Sequence, residues 1–210
     1  MPRRSYDQYC SLSRALDVTG ERWTLLIVRE LLAGPRRYTD LHADLPGVST
    51  DVLAARLKEM ERDGILTRRR LPPPTSAAVY ELTARGQGLL AALTALAAWG
   101  AAGLAEPTPT DALRAHWFAL PLMRLLAGLA GAHEGVVNIR LDEDSFHIAV
   151  SADGPSYGHG PAGDPDAELV LGRQAGAELA RGDTSLPTLA GQHRISIEGD
   201  SPLAKALRGQ

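Results

Sequence analysis

Positively charged side chains in the first half of the chain have types and spacings suited to binding a polyanion. They are Arg36, Arg37, Arg56, Lys58, Arg68, Arg69 and Arg70. In a strand alternate residues face opposite ways, so Arg68 and Arg70 would share a face. Cationic side chains neutralise phosphates, and an arginine fork also matches the O6 and N7 atoms of guanine. An arginine run alone is more commonly a solvated edge than a nucleic-acid site. The secondary-structure elements around it therefore decide between these two interpretations.

Those elements read as a helix-turn-helix followed by a ribbon of two strands. Apolar spacing predicts helices over 11–18, 21–33, 39–45 and 49–61. Pro46-Gly47 ends the third of these, and Ser49 is a good cap for the fourth, whose apolar face is Leu53, Leu57 and Met60. Strands are indicated over 65–70 and 79–82. The second helix of such a motif enters the DNA major groove, so the pattern predicts a DNA-binding unit.

Within that unit we predict two kinds of DNA contact. The N-terminal part of the fourth helix would reach base edges, with Arg56 the candidate for guanine and Lys58 for phosphate. The ribbon face that carries Arg68 and Arg70 would lie along the phosphate backbone or enter the minor groove, and Arg36 and Arg37 would contact phosphate. The predicted contact residues are Arg36, Arg37, Ser49, Thr50, Asp51, Arg56, Lys58, Arg68, Arg69 and Arg70.

Residues 10–99 resemble the HxlR family of winged-helix regulators, a branch close to MarR-type repressors. The matching text is Cys10, Ala15 to Ile27, Arg29-Glu30-Leu31, Gly34 to Tyr38, Leu41, Leu45 to Ser49, Leu53, Arg56-Leu57, Glu61, Asp63 to Leu66, Arg68, Tyr80 to Thr83, Gly86 and Trp99. The resemblance implies a homodimer that binds double-stranded DNA as a repressor or activator. Its protomers would pair through the first helix and the uncharged helix over 87–105, which we therefore do not expect to span a membrane. Ala54 departs from the family, which commonly has a hydroxyl residue there.

Cys10 is the only cysteine, which excludes an internal disulfide and a four-cysteine zinc site. Some members of the resembled family sense oxidants or quinones through a cysteine at this position, so Cys10 is a candidate redox sensor. A small apolar residue packed under the dimer helices is the alternative that we favour.

The second half predicts a small α+β domain. The pattern predicts an amphipathic helix over 111–130, bent at Pro121, and two further helices over 173–181 and 202–207. Short strands are predicted around 137–141, 146–150, 169–171 and 195–197, and a loop over 153–166. Residues 111–208 resemble the sterol-carrier-protein fold, on Asp166 to Gly172, Ala180-Arg181-Gly182 and Ile195 to Asp200. That resemblance implies a site for a hydrophobic effector, with Trp117, Phe118, Leu122 and Phe146 as candidate wall residues. A filled core that only packs or dimerises is the alternative.

Composition sets the limits of the interpretation. The 210 residues carry net charge −3, with 44% hydrophobic and 22% charged residues, which excludes a disordered chain. The charge divides into +2 over 1–106 and −5 over 107–210. None of the six histidines pairs with another at metal-ligand spacing, and no nucleophile elbow or P-loop occurs, so we predict no enzyme activity, metal or cofactor.

The combined prediction is an α+β protein with a winged helix-turn-helix domain over 1–106 and a sterol-carrier-like domain over 107–210. Pro107 and Pro109 favour an extended connector at the boundary. We expect a cytoplasmic, homodimeric, ligand-responsive transcriptional regulator of a pseudo-palindromic operator. A carrier of hydrophobic ligands that uses its first half to dimerise is the alternative.

Overall fold

A computed structural model describes residues 5–104, 108, 110–129 and 132–210. Most of the predicted connector around Pro107 and Pro109 lies outside the described residues. The chain divides into two compact units, the first ending at Leu90 and the second beginning at Ala91. The domain boundary between 106 and 107 stays a prediction.

The first unit contains the predicted helices and ribbon in the predicted order. Its elements are α1 (Ser11–Thr19), α2 (Thr24–Leu32), β1 (Arg36–Arg37), α3 (Tyr38–Ala43), α4 (Thr50–Arg62), β2 (Leu66–Arg70), β3 (Ala78–Leu82) and α5 (Ala84–Gln87). The strands form an antiparallel sheet in the order β1-β3-β2. The strand β1 was not predicted, because two residues are too few to show alternation.

One apolar core holds α4 against the rest of this unit. Leu53, Leu57 and Met60 are at most 2% exposed, which confirms the predicted inner face of α4. Ile27 and Leu31 of α2 are fully buried in the same unit. Side chains at i, i+4 and i+7 lie on one face of a helix, so burial of this face leaves the opposite face of α4 open to solvent.

The uncharged segment after the ribbon is not one helix. The helix α5 ends at Gln87, and a separate helix α6 runs over Leu90–Gly100, followed by a 3-10 turn at Ala101–Gly103. This corrects the prediction of a single helix over 87–105. Among the described residues, no helix combines the length and the apolar character needed to cross a bilayer.

The second unit is a five-stranded sheet with helices. Its further elements are α7 (Ala119–Leu126), β4 (Gly135–Leu141), β5 (Asp144–Ser151), β6 (Gly154–His159), β7 (Ala167–Leu171), α8 (Arg173–Arg181), α9 (Leu186–Gly191), β8 (Ile195–Glu198) and α10 (Pro202–Arg208). The strand order is β6-β5-β4-β7-β8, and only the β4–β7 pair is parallel.

Two local predictions for this unit were wrong, and one helix was missed. The helix predicted over 111–130 begins only at Ala119, after a 3-10 turn at Ala115–Phe118, and Pro121 lies in its first turn, where the missing N–H costs little. The segment predicted as a loop contains β6, an edge strand that tolerates Pro155. The helix α9, capped by Ser185, was also not predicted.

Candidate nucleic-acid interface

The N-terminus of α4 is fixed by two hydrogen bonds. The Ser49 hydroxyl accepts from the Val52 backbone N–H at 3.3 Å, which confirms the predicted cap. The Tyr38 hydroxyl, at the start of α3, donates to the Thr50 carbonyl oxygen at 2.8 Å. Capping satisfies an N–H group that the helix leaves unpaired. The first turn of α4 is therefore held in place by both its own cap and the preceding helix.

The outward face of α4 carries few charges over its first two turns. Its exposed residues are Thr50, Asp51, Val52, Ala54, Ala55, Lys58, Glu61 and Arg62. Three of the predicted contact residues are exposed at the start of α4, namely Ser49, Thr50 and Asp51, and a fourth, Lys58, is exposed in the third turn. Basic groups on this face therefore lie beyond the first two turns, at Lys58 and at Arg62 near the C-terminus.

Arg56 does not present its guanidinium on the outward face. Its side chain is 17% exposed and forms ion pairs with Glu59 on the same helix and with Glu21, whose carboxylate lies 3.2 Å away, before α2. These bonds tie α4 to the segment between α1 and α2. The geometry does not favour the predicted guanine contact, because reading a base would require breaking both pairs.

We expect Arg56→Ala to lower the stability of the first unit by about 1 kcal/mol and to leave the preferred operator bases unchanged. The reason is that the guanidinium joins two carboxylates of the protein. Thermal unfolding together with site selection on random duplexes checks both parts. The matched variant Lys58→Ala removes one positive charge from the outward face of the same helix and should not affect stability. If the sites selected by Arg56→Ala lack a guanine that the wild type prefers, Arg56 does contact that base and this expectation is wrong.

The ribbon presents two arginines and neutralises the third. Arg68 and Arg70 are exposed, and they lie opposite Tyr80 and Ala78 in the register of β2 and β3. Arg69 instead makes a two-pronged contact with Glu81, in which Nε donates to Oε1 at 3.1 Å and Nη2 donates to Oε2 at 2.9 Å. This hydrogen bonding lowers the pKa of the Glu81 carboxyl, so the pair stays charged at neutral pH. Arg68 and Arg70 are therefore the ribbon cations best placed for phosphate.

The two arginines of β1 also differ from each other. Arg36 forms an ion pair with Asp44 at the end of α3, and its side chain is only 13% exposed. Arg37 is exposed, and its backbone N–H donates to the Asp40 carboxylate at 3.3 Å. The predicted phosphate contact is therefore better supported for Arg37 than for Arg36, whose charge is already matched within the protein.

The four candidate effector contacts lie in the second unit. Phe118, Leu122 and Phe146 are buried, and Trp117 is half-buried. Phe118 lies against α8, where a Cβ added to Gly176 would stand 3.1 Å from its ring. These positions suit a core as well as the wall of a ligand site, so the effector contacts stay a prediction.

Cys10 lies at the start of α1 with its thiol exposed, so in the single chain it is not packed as a buried apolar residue. Hydrogen bonds from the backbone and side chain of Ser13 lower the pKa of the thiol, because they stabilise the thiolate. Arg14, one turn on, contacts Asp17 at 3.7 Å. A role for Cys10 in redox sensing stays a prediction.

Sequence reasoning missed residues that shape this interface. Tyr38 fixes the start of α4, and Glu21 holds Arg56. Val52 and Arg62 are exposed on α4 but were not among the predicted contacts. A helical projection of 50–62 about its buried face would have found the last two, whereas the first two depend on contacts between separate elements.

Comparison with known proteins gives a match to each half of the chain. Residues 18–107 match the family described as HxlR-like helix-turn-helix, and residues 122–209 match the SCP-2 sterol transfer family. The chain is 37% identical to the uncharacterized HTH-type transcriptional regulator YvaP of Bacillus subtilis over 41% of its own length and 80% of that protein. It is 35% identical to the HTH-type transcriptional regulator YodB of the same organism, over 42% of its length and 79% of that protein.

A solved structure, the reduced form of YodB from B. subtilis, superposes on 48% of this chain and 99% of that one. The TM-score is 0.41 and the sequence identity 33%.

Proposed function

This chain belongs to the HxlR-like helix-turn-helix family of transcriptional regulators, and from that membership we propose that it is a cytoplasmic, ligand-responsive homodimer acting on a two-fold symmetric operator. The helix α4 enters the major groove of each half-site. Arg68, Arg70 and Arg37 contact phosphates beside it. In such dimers the half-sites lie one helical turn of DNA apart, about 34 Å.

The proposed dimer uses apolar side chains that the single chain leaves in solvent. On α1, Leu12 is 66% and Leu16 40% exposed. On α6, Leu96 is 49% and Trp99 84% exposed. Each pair lies on one face of its helix, and exposed apolar surface of this kind is typical of interaction sites. A second copy of the chain would remove it from water. The two elements match those through which dimers of the resembled family pair.

We expect Trp99→Ala to weaken the dimer by about thirtyfold, because buried tryptophans are typical hot spots of protein interfaces. Sedimentation velocity across a dilution series measures this. The matched variant Trp117→Ala changes a half-buried tryptophan outside these surfaces, so it should keep the dimer. A dimer of unchanged affinity in Trp99→Ala would contradict the assignment of α6 to the interface.

One observation carries the ligand-responsive part of the proposal, namely the sequence match to a sterol transfer family on the same chain as the regulator match. Members of such a family handle hydrophobic molecules, and a regulator can use a bound molecule as a signal. The molecule must bind the two DNA-binding states with different affinity in order to act. The predicted contacts are Trp117, Phe118, Leu122 and Phe146.

Titration of the full-length protein on its operator with oleate or cholesterol tests this part. A coupling between two sites is typically worth 5- to 150-fold in affinity, and it is reciprocal. We therefore expect one probe to change the operator Kd at least fivefold, and the operator to change the Kd of that probe by the same factor. A probe that binds while both affinities stay unchanged would contradict ligand sensing. A bound probe without any specific DNA binding would favour the carrier.

A further inference from the structure

Val52 is an exposed apolar side chain in the first turn of α4, where a recognition helix meets base edges. It is 43% exposed, whereas Val28 and Val79 of the same unit are at most 3% exposed. Its backbone N–H donates to the Ser49 cap, so its position on the helix is fixed. The side chain therefore points its methyl groups away from the core from a rigidly held turn.

Val52 contributes little to the stability of the isolated protein. A β-branched residue is a poorer helix former than alanine, because its side chain is restricted against the preceding turn. Because the side chain is 43% exposed, it gains only part of the hydrophobic stabilisation that a fully buried valine would give. The same restriction holds the two methyl groups of Val52 in one preferred orientation, so little rotamer freedom remains to be lost on binding. Ala55, one turn on and also exposed, is small enough to let a base pair approach.

The remaining outward side chains of the first two turns do not include a guanidinium. Arg56, the arginine of this segment, is held by Glu21 and Glu59. In the major groove thymine alone presents a 5-methyl group, and apolar side chains are its usual readers. Of the exposed apolar side chains in these two turns, Val52 is larger than Ala54 and Ala55 and is therefore the best candidate for such a contact.

We propose that Val52 contacts the 5-methyl group of a thymine in each operator half-site and so sets the base preference at that position. This inference rests on the proposed function, since it requires α4 to lie in the major groove. It specifies one base of the operator, which the proposed function leaves open.

The test uses the full-length protein and an operator selected from random duplexes. Each thymine of a half-site is replaced in turn by deoxyuridine, which removes only the 5-methyl group, and the Kd is measured at fixed salt. We expect one replacement to weaken wild-type binding by about fourfold per half-site, the value of burying one methyl group. Val52→Ala should bind the thymine and uracil duplexes equally. Arg62→Ala, on the same helix, should keep the wild-type difference.

The outcomes separate the inference from the function on which it rests. Alanine at an exposed helix position favours the helix, so Val52→Ala should fold, and its thermal unfolding checks this. Specific wild-type binding that is insensitive to every thymine methyl, or equal sensitivity in Val52→Ala, would overturn the inference and leave the proposed function standing. Failure to select any site would overturn both.

Discussion

Replacing Arg68 and Arg70 together with alanine should weaken operator binding by about a hundredfold at physiological salt. The two side chains are exposed on the ribbon, and a dimer would present four of them to phosphate. Each lost phosphate contact lowers the slope of log K against log salt by about 0.9, so the slope should flatten by about 3 to 4. Fluorescence anisotropy at several salt concentrations measures the affinity and the slope together.

The sharpest control lies between the two arginines on the same strand. Arg69→Ala removes one positive charge from the ribbon, but Glu81 already neutralises that charge in the protein. Removal of Arg69 breaks no phosphate contact, but it leaves the Glu81 carboxylate unpaired near the DNA. We therefore expect the operator affinity to fall by only a few-fold. The comparison therefore separates a phosphate contact from a general change of net charge. An equal loss in Arg69→Ala, or an unchanged slope in the double variant, would contradict the assignment of the ribbon.

Gly86→Ala should destabilise the first unit by about 3 kcal/mol, the upper range for forcing extra atoms into a packed site. A Cβ at this position would stand 2.1 Å from the Ile65 carbonyl oxygen, which is backbone and has no rotamer by which to move away. The junction is also tied by the Thr83 hydroxyl, which donates to the Gly64 carbonyl oxygen at 2.6 Å and accepts from the Gly86 N–H at 3.2 Å. The ribbon would have to shift from α5.

Urea unfolding of the full-length protein measures this change, with the transition of the first unit followed separately from that of the second. The matched variant is Gly88→Ala, two residues on, where the nearest atom to an added Cβ is the Arg85 carbonyl oxygen at 3.4 Å. This variant should unfold within about 1 kcal/mol of wild type. Similar unfolding of both variants would show that the contact of α5 with Ile65, the residue before β2, is looser than the structure indicates.

The elements that present the interface follow from local signals in the sequence. Ser49 is a strong cap, and Leu53, Leu57 and Met60 repeat at helical spacing, so α4 and its buried face could be predicted. The two strands of the ribbon could be predicted as well, because apolar residues and turn residues mark where each strand begins and ends. Each of these signals lies within a few residues of the element that it specifies, so one sequence is enough to find them.

The charge pairing could not be predicted in the same way. Glu21 and Arg56 are far apart in sequence, and only the folded chain brings their side chains to 3.2 Å. The same holds for two other ion pairs. Arg36 meets Asp44 only because β1 lies beside the end of α3, and Arg69 meets Glu81 only because β2 pairs with β3. Sequence reasoning therefore identified the basic residues of the unit, but could not tell exposed cations from those held by carboxylates.

The same limit applied to the second unit. The strand β6 pairs with β5 through its backbone, and Tyr157 is its only large apolar residue among glycine, proline and polar residues, so its sequence shows no alternation. Its edge position, not its own propensity, makes it a strand. Burial of Phe118, Leu122 and Phe146 was predictable from their apolar character, but their use in binding a ligand was not.

The most direct test of DNA recognition through α4 and the ribbon is the affinity of the full-length protein for DNA upstream of its own gene. Binding is measured by anisotropy against an excess of unrelated duplex, at two salt concentrations. We expect a Kd of about 10⁻⁸ M at physiological salt, at least a thousandfold tighter than for unrelated DNA. Equal affinity for that DNA, for duplexes selected by the protein and for unrelated duplexes would contradict this expectation.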